Sequence, residues 1–270
     1  MSTLSRIQNP FSSPSAPSFA RFGFAGACLS ALEVGGDFFE LVPLSETVQL
    51  MVIADVMGKG LPASLFADSL RTLVRALAKP GVQPSELLSE INQLMFEDLS
   101  SADMFITLQI VRADLHQGLL HVSNAGHCPL LLCDGSGCSK AIAPDGLPLG
   151  IQLDATFRQE CAVLPSFGAA LLYTDGLTEA RNRQGHLFGE PRLTNWLSQA
   201  IAENQTALHL KASLLEALHT FQAGAQATDD QTFLILADEK PRAAASLVCP
   251  ENMWPIDWQA QDKLVPQIGR

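Results

Sequence analysis

Apolar periodicity changes character repeatedly along this chain, and the order of those changes limits the fold more than any single residue does. Short strand-like runs come first, over residues 21–29 and 37–56. The run Val48 to Val56 reads as a strand with Asp55 at its end, and Met57-Gly58-Lys59-Gly60 breaks it. Helical spacing follows: Pro62 suits a first turn, and Leu65, Phe66, Leu70, Leu73, Val74 and Leu77 recur until Lys79-Pro80-Gly81. A second helix is expected over Pro84 to Leu99, and the short connection makes the pair antiparallel. Phe105 to Val111, Leu119 to Ser123 and Pro129 to Leu132 return to strand character, and residues 144–150 form a turn-rich loop. Ala169 to Thr174 is a buried strand stopping at Asp175-Gly176. Helical segments follow at about 190–203 and 206–222, and Thr232 to Ala237 closes the pattern. Strands joined by tight turns favour antiparallel pairing over repeated βαβ units.

Composition bounds what such a chain can do. Hydrophobic residues make up 47% of the 270, enough for a full core, while no apolar run approaches the roughly 20 residues of a membrane span. A formal net charge of −11 disfavours nucleic-acid binding, which needs a cationic footprint. Cys28, Cys128, Cys133, Cys138, Cys161 and Cys249 form no CxxC pair and read as free thiols, and no signal peptide precedes the first strand. These features point to a cytoplasmic protein.

The acidic residues are placed suggestively. Asp37 follows Gly35-Gly36, Asp55 ends a strand, Asp175 ends a strand before Gly176, and Asp229-Asp230 precedes the closing strand. Carboxylates at strand ends can converge at one rim of a sheet, with glycines permitting tight turns and close approach. Oxygen ligands suit hard divalent ions, and two such ions can clamp a phosphoryl group and acidify a bridging water. Taken singly, each motif is weak. Asp-Gly is most often a turn, Asp229-Asp230 could equally cap a helix, and His127 reads as a structural histidine with a ligand or general-acid role as its alternative. Gly58-Lys59-Gly60 lacks P-loop spacing, and no Cys-x5-Arg loop or GxSxG elbow offers a covalent nucleophile.

Together the motifs are far more specific. Val34-Gly35-Gly36-Asp37-Phe38-Phe39, Ala54-Asp55-Val56-Met57-Gly58-Lys59-Gly60-Leu61-Pro62-Ala63, Met104 to Leu108, Asn124-Ala125-Gly126-His127, Gly146 to Gly150, Tyr173-Thr174-Asp175-Gly176-Leu177-Thr178-Glu179-Ala180 and Asp229-Asp230-Gln231-Thr232 occur in one order. From about residue 20 to residue 238 this resembles the SpoIIE-type, RsbU-like branch of the metal-dependent protein phosphatases (the PPM family). The resemblance implies an α+β fold, a four-layer α/β/β/α sandwich of two antiparallel sheets flanked by helices. It implies a centre of two Mn2+ or Mg2+ ions at one sheet edge, and a metal-bound hydroxide that attacks phosphorus. By position, Asp55 would bridge both ions and Val56 would offer its carbonyl to one of them. Asp175 and Asp229 would hold the other, and Asp37 would contact metal directly or through water. Asp230 would only orient its loop, and Glu179 would help to hold a third ion.

The resemblance further implies a protein-serine/threonine phosphatase in a bacterial partner-switching pathway, acting on a STAS-type anti-sigma-factor antagonist. It divides the chain into a flexible leader (1–20), a phosphatase domain (21–238) and a tail (239–270). Trp254 and Trp258 suggest that this tail docks, on its own domain rather than on a partner. The short leader implies either constitutive activity or control by a regulatory partner or by dimerisation through helices. Two departures stand out: the bridging turn carries Met57 where eukaryotic relatives have a histidine proposed as general acid, and Phe39-Glu40 follow the first block where a tyrosine and an acid are usual. Met57 cannot donate a proton, so the leaving group must be protonated by bound water or another residue. A non-catalytic binding module on the same fold is the rival reading. It would be marked by lost ligands, and none of the four positions is lost.

Overall fold

Strand and helix boundaries follow the apolar runs closely in the computed structural model, which describes residues 21–203 and 206–239. The strands are β1 (Phe22–Leu29), β2 (Phe38–Pro43), β3 (Val48–Val56), β4 (Ile106–Asp114), β5 (Leu119–Ala125), β6 (Leu130–Cys133), β7 (Ser139–Ile142), β8 (Gln159–Val163), β9 (Ala169–Tyr173) and β10 (Gln231–Asp238). The helices are α1 (Leu61–Leu77), α2 (Pro84–Ser101), α3 (Asp175–Thr178), α4 (Gly189–Ala202) and α5 (Ala207–Gln222). The expected leader and nearly all of the expected tail, with Trp254, Trp258 and Cys249, lie outside the described residues.

Two five-stranded sheets form, in the orders β1-β10-β9-β6-β7 and β2-β3-β4-β5-β8, with every named pairing antiparallel. Strand β3 shows why. It is buried on both faces, so its sequence is a continuous apolar run rather than an alternation. Leu50, Val52, Ala54 and Val56 face one cluster with α1 and α2. Met51 and Ile53 face the second cluster, which fills the space between the sheets with Phe39, Val111, Val122, Leu172 and Leu234. A third cluster joins β9 and β10 to α4 and α5 through Leu171, Phe233, Leu193, Leu197, Leu210 and Leu214. Three apolar seams therefore separate four layers, helix–sheet–sheet–helix. Each fully buried Leu or Ile in these seams contributes about 1.5–3 kcal/mol.

Helix α1 illustrates the local logic. Ala63, Ala67, Leu70 and Val74 recur at three- and four-residue spacing and are buried, while Leu61 and Leu65 face outward. Pro62 lies in its first turn, where a missing amide proton costs nothing. The sequence pattern overlooked β7 and β8, whose exposed positions dilute any apolar run. At Asp175 a turn was expected, yet a four-residue helix starts there, because Leu177 and the backbone of Gly176 are buried against the molecule.

Antiparallel register brings one end of each sheet together. Leu29 of β1 stands opposite Gln231 of β10, Tyr173 of β9 opposite Phe233, and Phe38 of β2 opposite Ala54 of β3. The C-terminal ends of β3 and β9 and the N-terminal ends of β2 and β10 thus meet at a single rim.

Candidate active site

That rim carries the aspartates singled out by sequence. Asp37 precedes β2, Asp55 is the penultimate residue of β3, Asp175 opens α3, and Asp229 and Asp230 lead into β10. Asp37 is buried, at 8% exposure, whereas Asp175 reaches solvent.

Burial and mutual repulsion dominate their chemistry. Desolvation, followed by the negative charge of Asp55, holds the Asp37 carboxyl well above its usual range, and the Thr174 hydroxyl partly offsets this. Asp55 is raised from 3.8 to about 6 by burial and then by the charges of Asp175 and Asp229, while a hydrogen bond with Asp37 pulls the other way. Asp175 is raised by desolvation of its carboxyl and by the charges of Glu179 and Asp229. Carboxyl groups so close cannot all ionise cheaply. Asp37, the most buried of them, is pushed well toward its protonated form.

Thr174 couples the two sheets through Asp37. Its hydroxyl donates to Asp37 Oδ2 at 2.7 Å and accepts from the Thr232 amide at 3.1 Å. Asp230 is engaged by backbone amides: it accepts from Ala31 at 2.8 Å, Gly36 at 2.9 Å and Asp37 at 3.4 Å. It therefore cradles the loop that presents Asp37, satisfying backbone groups that would otherwise lack partners.

Two glycines permit the close approach. A Cβ on Gly36 would stand 2.8 Å from the Val56 carbonyl oxygen and would cover it. A Cβ on Gly176 would collide with the Asp230 carbonyl and touch Asp229, so only glycine lets α3 pass over the loop before β10. Lys59 reaches across the same gap, with Nζ 3.1 Å from Asp229 Oδ1 and a hydrogen bond to the Thr228 carbonyl.

His127 supports the rim from beneath. It is buried, Nδ1 lies 2.7 Å from the Thr107 hydroxyl, and Thr107 stands opposite Asp55 in the β3–β4 register. Burial lowers the imidazole from 6.5 to about 4, against the opposing pull of the Tyr173 carbonyl, so it is neutral at pH 7. Asn124 secures the same turn, accepting from the His127 amide at 2.7 Å. Cys128 is pushed up to about 12 by burial and by Asp175, Glu190, Asp55 and Asp37, leaving a protonated and poorly nucleophilic thiol. Met57 is exposed at the turn and offers no proton.

Of the residues expected from sequence, the structure gathers Asp37, Asp55, Val56, Asp175 and Asp229 at this rim, with Glu179 exposed one turn beyond Asp175. Thr174, Thr232 and Lys59 had no role assigned from sequence. Their hydroxyls and ammonium act across the fold, and only Thr174, beside Asp175, had a position that hinted at it. Among the described residues, no three His, Cys, Asp or Glu side chains are grouped so that they could hold one ion by themselves. Magnesium-like ions commonly take only one or two protein carboxylates and complete their shell with water and phosphate oxygens. The surface depression formed by Asp145, Gly146, Leu147, Thr156 and Arg158 includes none of the rim aspartates.

Comparison with known proteins agrees with this geometry. Residues 45–237 match the family described as Stage II sporulation protein E (SpoIIE). The chain belongs to the SpoIIE family. "Phosphoserine phosphatase RsbU" of Bacillus subtilis is 28% identical over 209 residues, covering 76% of this chain and 60% of RsbU. The chain thus spans less than two thirds of that relative's length. Among solved structures, the SiaA-PP2C domain of Pseudomonas aeruginosa superposes with a TM-score of 0.68 at 22% identity, covering 79% of this chain and 85% of that domain. RsbX in complex with magnesium gives 0.59 at 16% identity, covering 80% and 95%. The fold of this SpoIIE-family chain is that of the PP2C-type phosphatases.

Proposed function

We propose that this SpoIIE-family chain is a metal-dependent protein-serine/threonine phosphatase that hydrolyses phosphoserine or phosphothreonine on a protein. The observation that carries the reading is the crowding of Asp37, Asp55, Asp175 and Asp229 at one rim, where burial and mutual repulsion raise the first three above ordinary carboxyls. Such a rim is disfavoured on electrostatic grounds unless positive charge is brought to it. The all-oxygen donor set, Asp55, Asp175, Asp229 and the Val56 carbonyl left open by Gly36, suits Mn2+ or Mg2+, and a fold relative, RsbX, is solved with magnesium. When bound, a pair of such ions supplies charge neutralisation at the phosphoryl oxygens and acidifies a water.

The chain's own residues prepare that chemistry. Thr174 fixes Asp37, Asp37 interacts with Asp55 by a side-chain hydrogen bond, and Asp230 holds the loop that carries Asp37. Glu179 adds negative charge beside Asp175 and is the candidate for a third ion. Met57 gives no acid for the leaving alkoxide, so solvent at the rim supplies that proton.

The substrate reading is a STAS-type anti-sigma-factor antagonist in a bacterial partner-switching pathway. It rests on the likeness to RsbU, and with it we read the protein as cytoplasmic. No described helix is long and apolar enough to cross a membrane. The decisive experiment measures phosphate release from an aryl phosphate and from a phosphorylated antagonist, with and without Mn2+. Mn2+-dependent release that is lost in Asp55→Asn supports the reading. No release from either substrate by the parent chain overturns it.

A further inference from the structure

A rim built of carboxylates raises a problem for any phosphomonoester, which carries close to two negative charges at neutral pH. Arg71 and Arg75 pair with Glu40, Arg21 with Asp238 and Arg158 with Asp145, none of them a rim aspartate. Lys59 differs. Its ammonium lies 3.1 Å from Asp229 Oδ1, and its charge is felt at Asp175, whose carboxyl it lowers. It enters from the loop after β3 and meets the loop before β10, so it spans the mouth between the two sheets.

We propose that Lys59 is a substrate-binding residue whose ammonium anchors the phosphoryl oxygens of the incoming phosphoester. This rests on the phosphatase reading above. Three features fit the role. Lys59 is about half exposed, at 45%, as is Asp229, so its head can exchange partners at solvent-like cost. Gly58 and Gly60 flank it at positive φ, and nothing lies within 4 Å of where their Cβ atoms would stand, so the turn projects clear of its surroundings. The side chain itself is a compact point charge on a flexible stem, suited to following an oxygen as it moves. In this view Asp229 holds the ammonium at the mouth, and the phosphoryl group takes it over. No bond is made or broken by Lys59.

The alternative is a strap that merely ties the two loops. The two roles separate in the 270-residue chain loaded with Mn2+, comparing Lys59→Gln and Lys59→Arg with the parent. Inorganic phosphate is the probe, measured as an inhibitor of aryl phosphate hydrolysis and directly by calorimetry. The expected result is a roughly tenfold weaker phosphate affinity and a similarly raised KM in Lys59→Gln, the weight of one charge-assisted hydrogen bond. Loss in kcat should stay within about threefold, and Lys59→Arg should recover most of the affinity. Mn2+ affinity, measured separately, should be unchanged or severalfold tighter, because a cation competing for Asp229 has gone. Unchanged phosphate affinity overturns the proposal, and so does a Mn2+ affinity that falls together with it. If the parent turns over no substrate, the phosphatase reading fails, while calorimetry still decides whether Lys59 binds phosphate.

Discussion

Replacing Asp55 by asparagine should make the chelator-treated protein more stable while abolishing its activity. The Asp55 carboxyl rises from 3.8 to about 6 through burial and the charges of Asp175 and Asp229. A carboxyl raised in the folded state stabilises the fold at low pH, and that contribution drains away as pH rises from about 4 to about 6. Above this window the ionised group imposes a constant penalty of about 3 kcal/mol. Asparagine keeps the shape and cannot ionise. It weakens the hydrogen bond with Asp37, at a cost of about 1 kcal/mol. The net expectation near pH 7.5 is a gain of about 2 kcal/mol, or about 4–8 °C in Tm. At pH 4 the gain should vanish or reverse slightly, since the folded-state carboxyl is then protonated, most of the charge penalty is gone, and the weakened hydrogen bond with Asp37 remains. Saturating Mn2+ should reverse the order, stabilising the parent by mass action and the variant much less. Urea unfolding at pH 4.0 and 7.5, with chelator or Mn2+, measures all of this. An Asp55→Asn protein no more stable than the parent at pH 7.5 with chelator present would refute the electrostatic argument.

Other expectations follow from the same rim. His127→Gln should flatten the acid side of the stability profile: the parent imidazole, lowered to about 4, contributes stability above pH 6.5 that is lost as pH falls toward 4, about 3 kcal/mol in all. The check is the difference between parent and variant unfolding energies across pH 4–7, which should shrink as pH falls. Thr174→Val should cost about 1–3 kcal/mol in urea unfolding, because the Thr232 amide and Asp37 Oδ2 both lose their partner. Gly176→Ala should displace the Asp229-Asp230 loop, costing about 1–3 kcal/mol and weakening Mn2+ binding more than Ala substitutions at exposed positions of α5 do.

Much of the architecture was legible in the sequence, for a local reason. Strand β3 shows as an unbroken short apolar run bounded by turn residues, and helix α1 shows as a period of about 3.6 residues, so their apolar residues betray them. Strands β7 and β8 escaped because they are short and partly exposed, and sheet neighbours rather than their own side chains hold them. The short helix at Asp175 escaped because Asp-Gly is a turn signal, overridden here by burial of Leu177.

The aspartates divide along the same line. Sequence alone identified Asp37, Asp55, Asp175 and the Asp229-Asp230 pair, because each borders a strand or a glycine turn, and ordered motifs tied them to one family. What each does next to the others required tertiary structure. Asp230 meets the amide of Ala31 across 199 positions of chain, and Thr174 reaches Asp37 across 137. Lys59, read from sequence only as part of a turn, becomes the cation at the mouth through its partner 170 residues on. Hydrogen bonding and charge repulsion act over a few ångströms in space, with no trace in the local pattern, so only the packed sheets decide which carboxylates crowd together and which merely hold a loop.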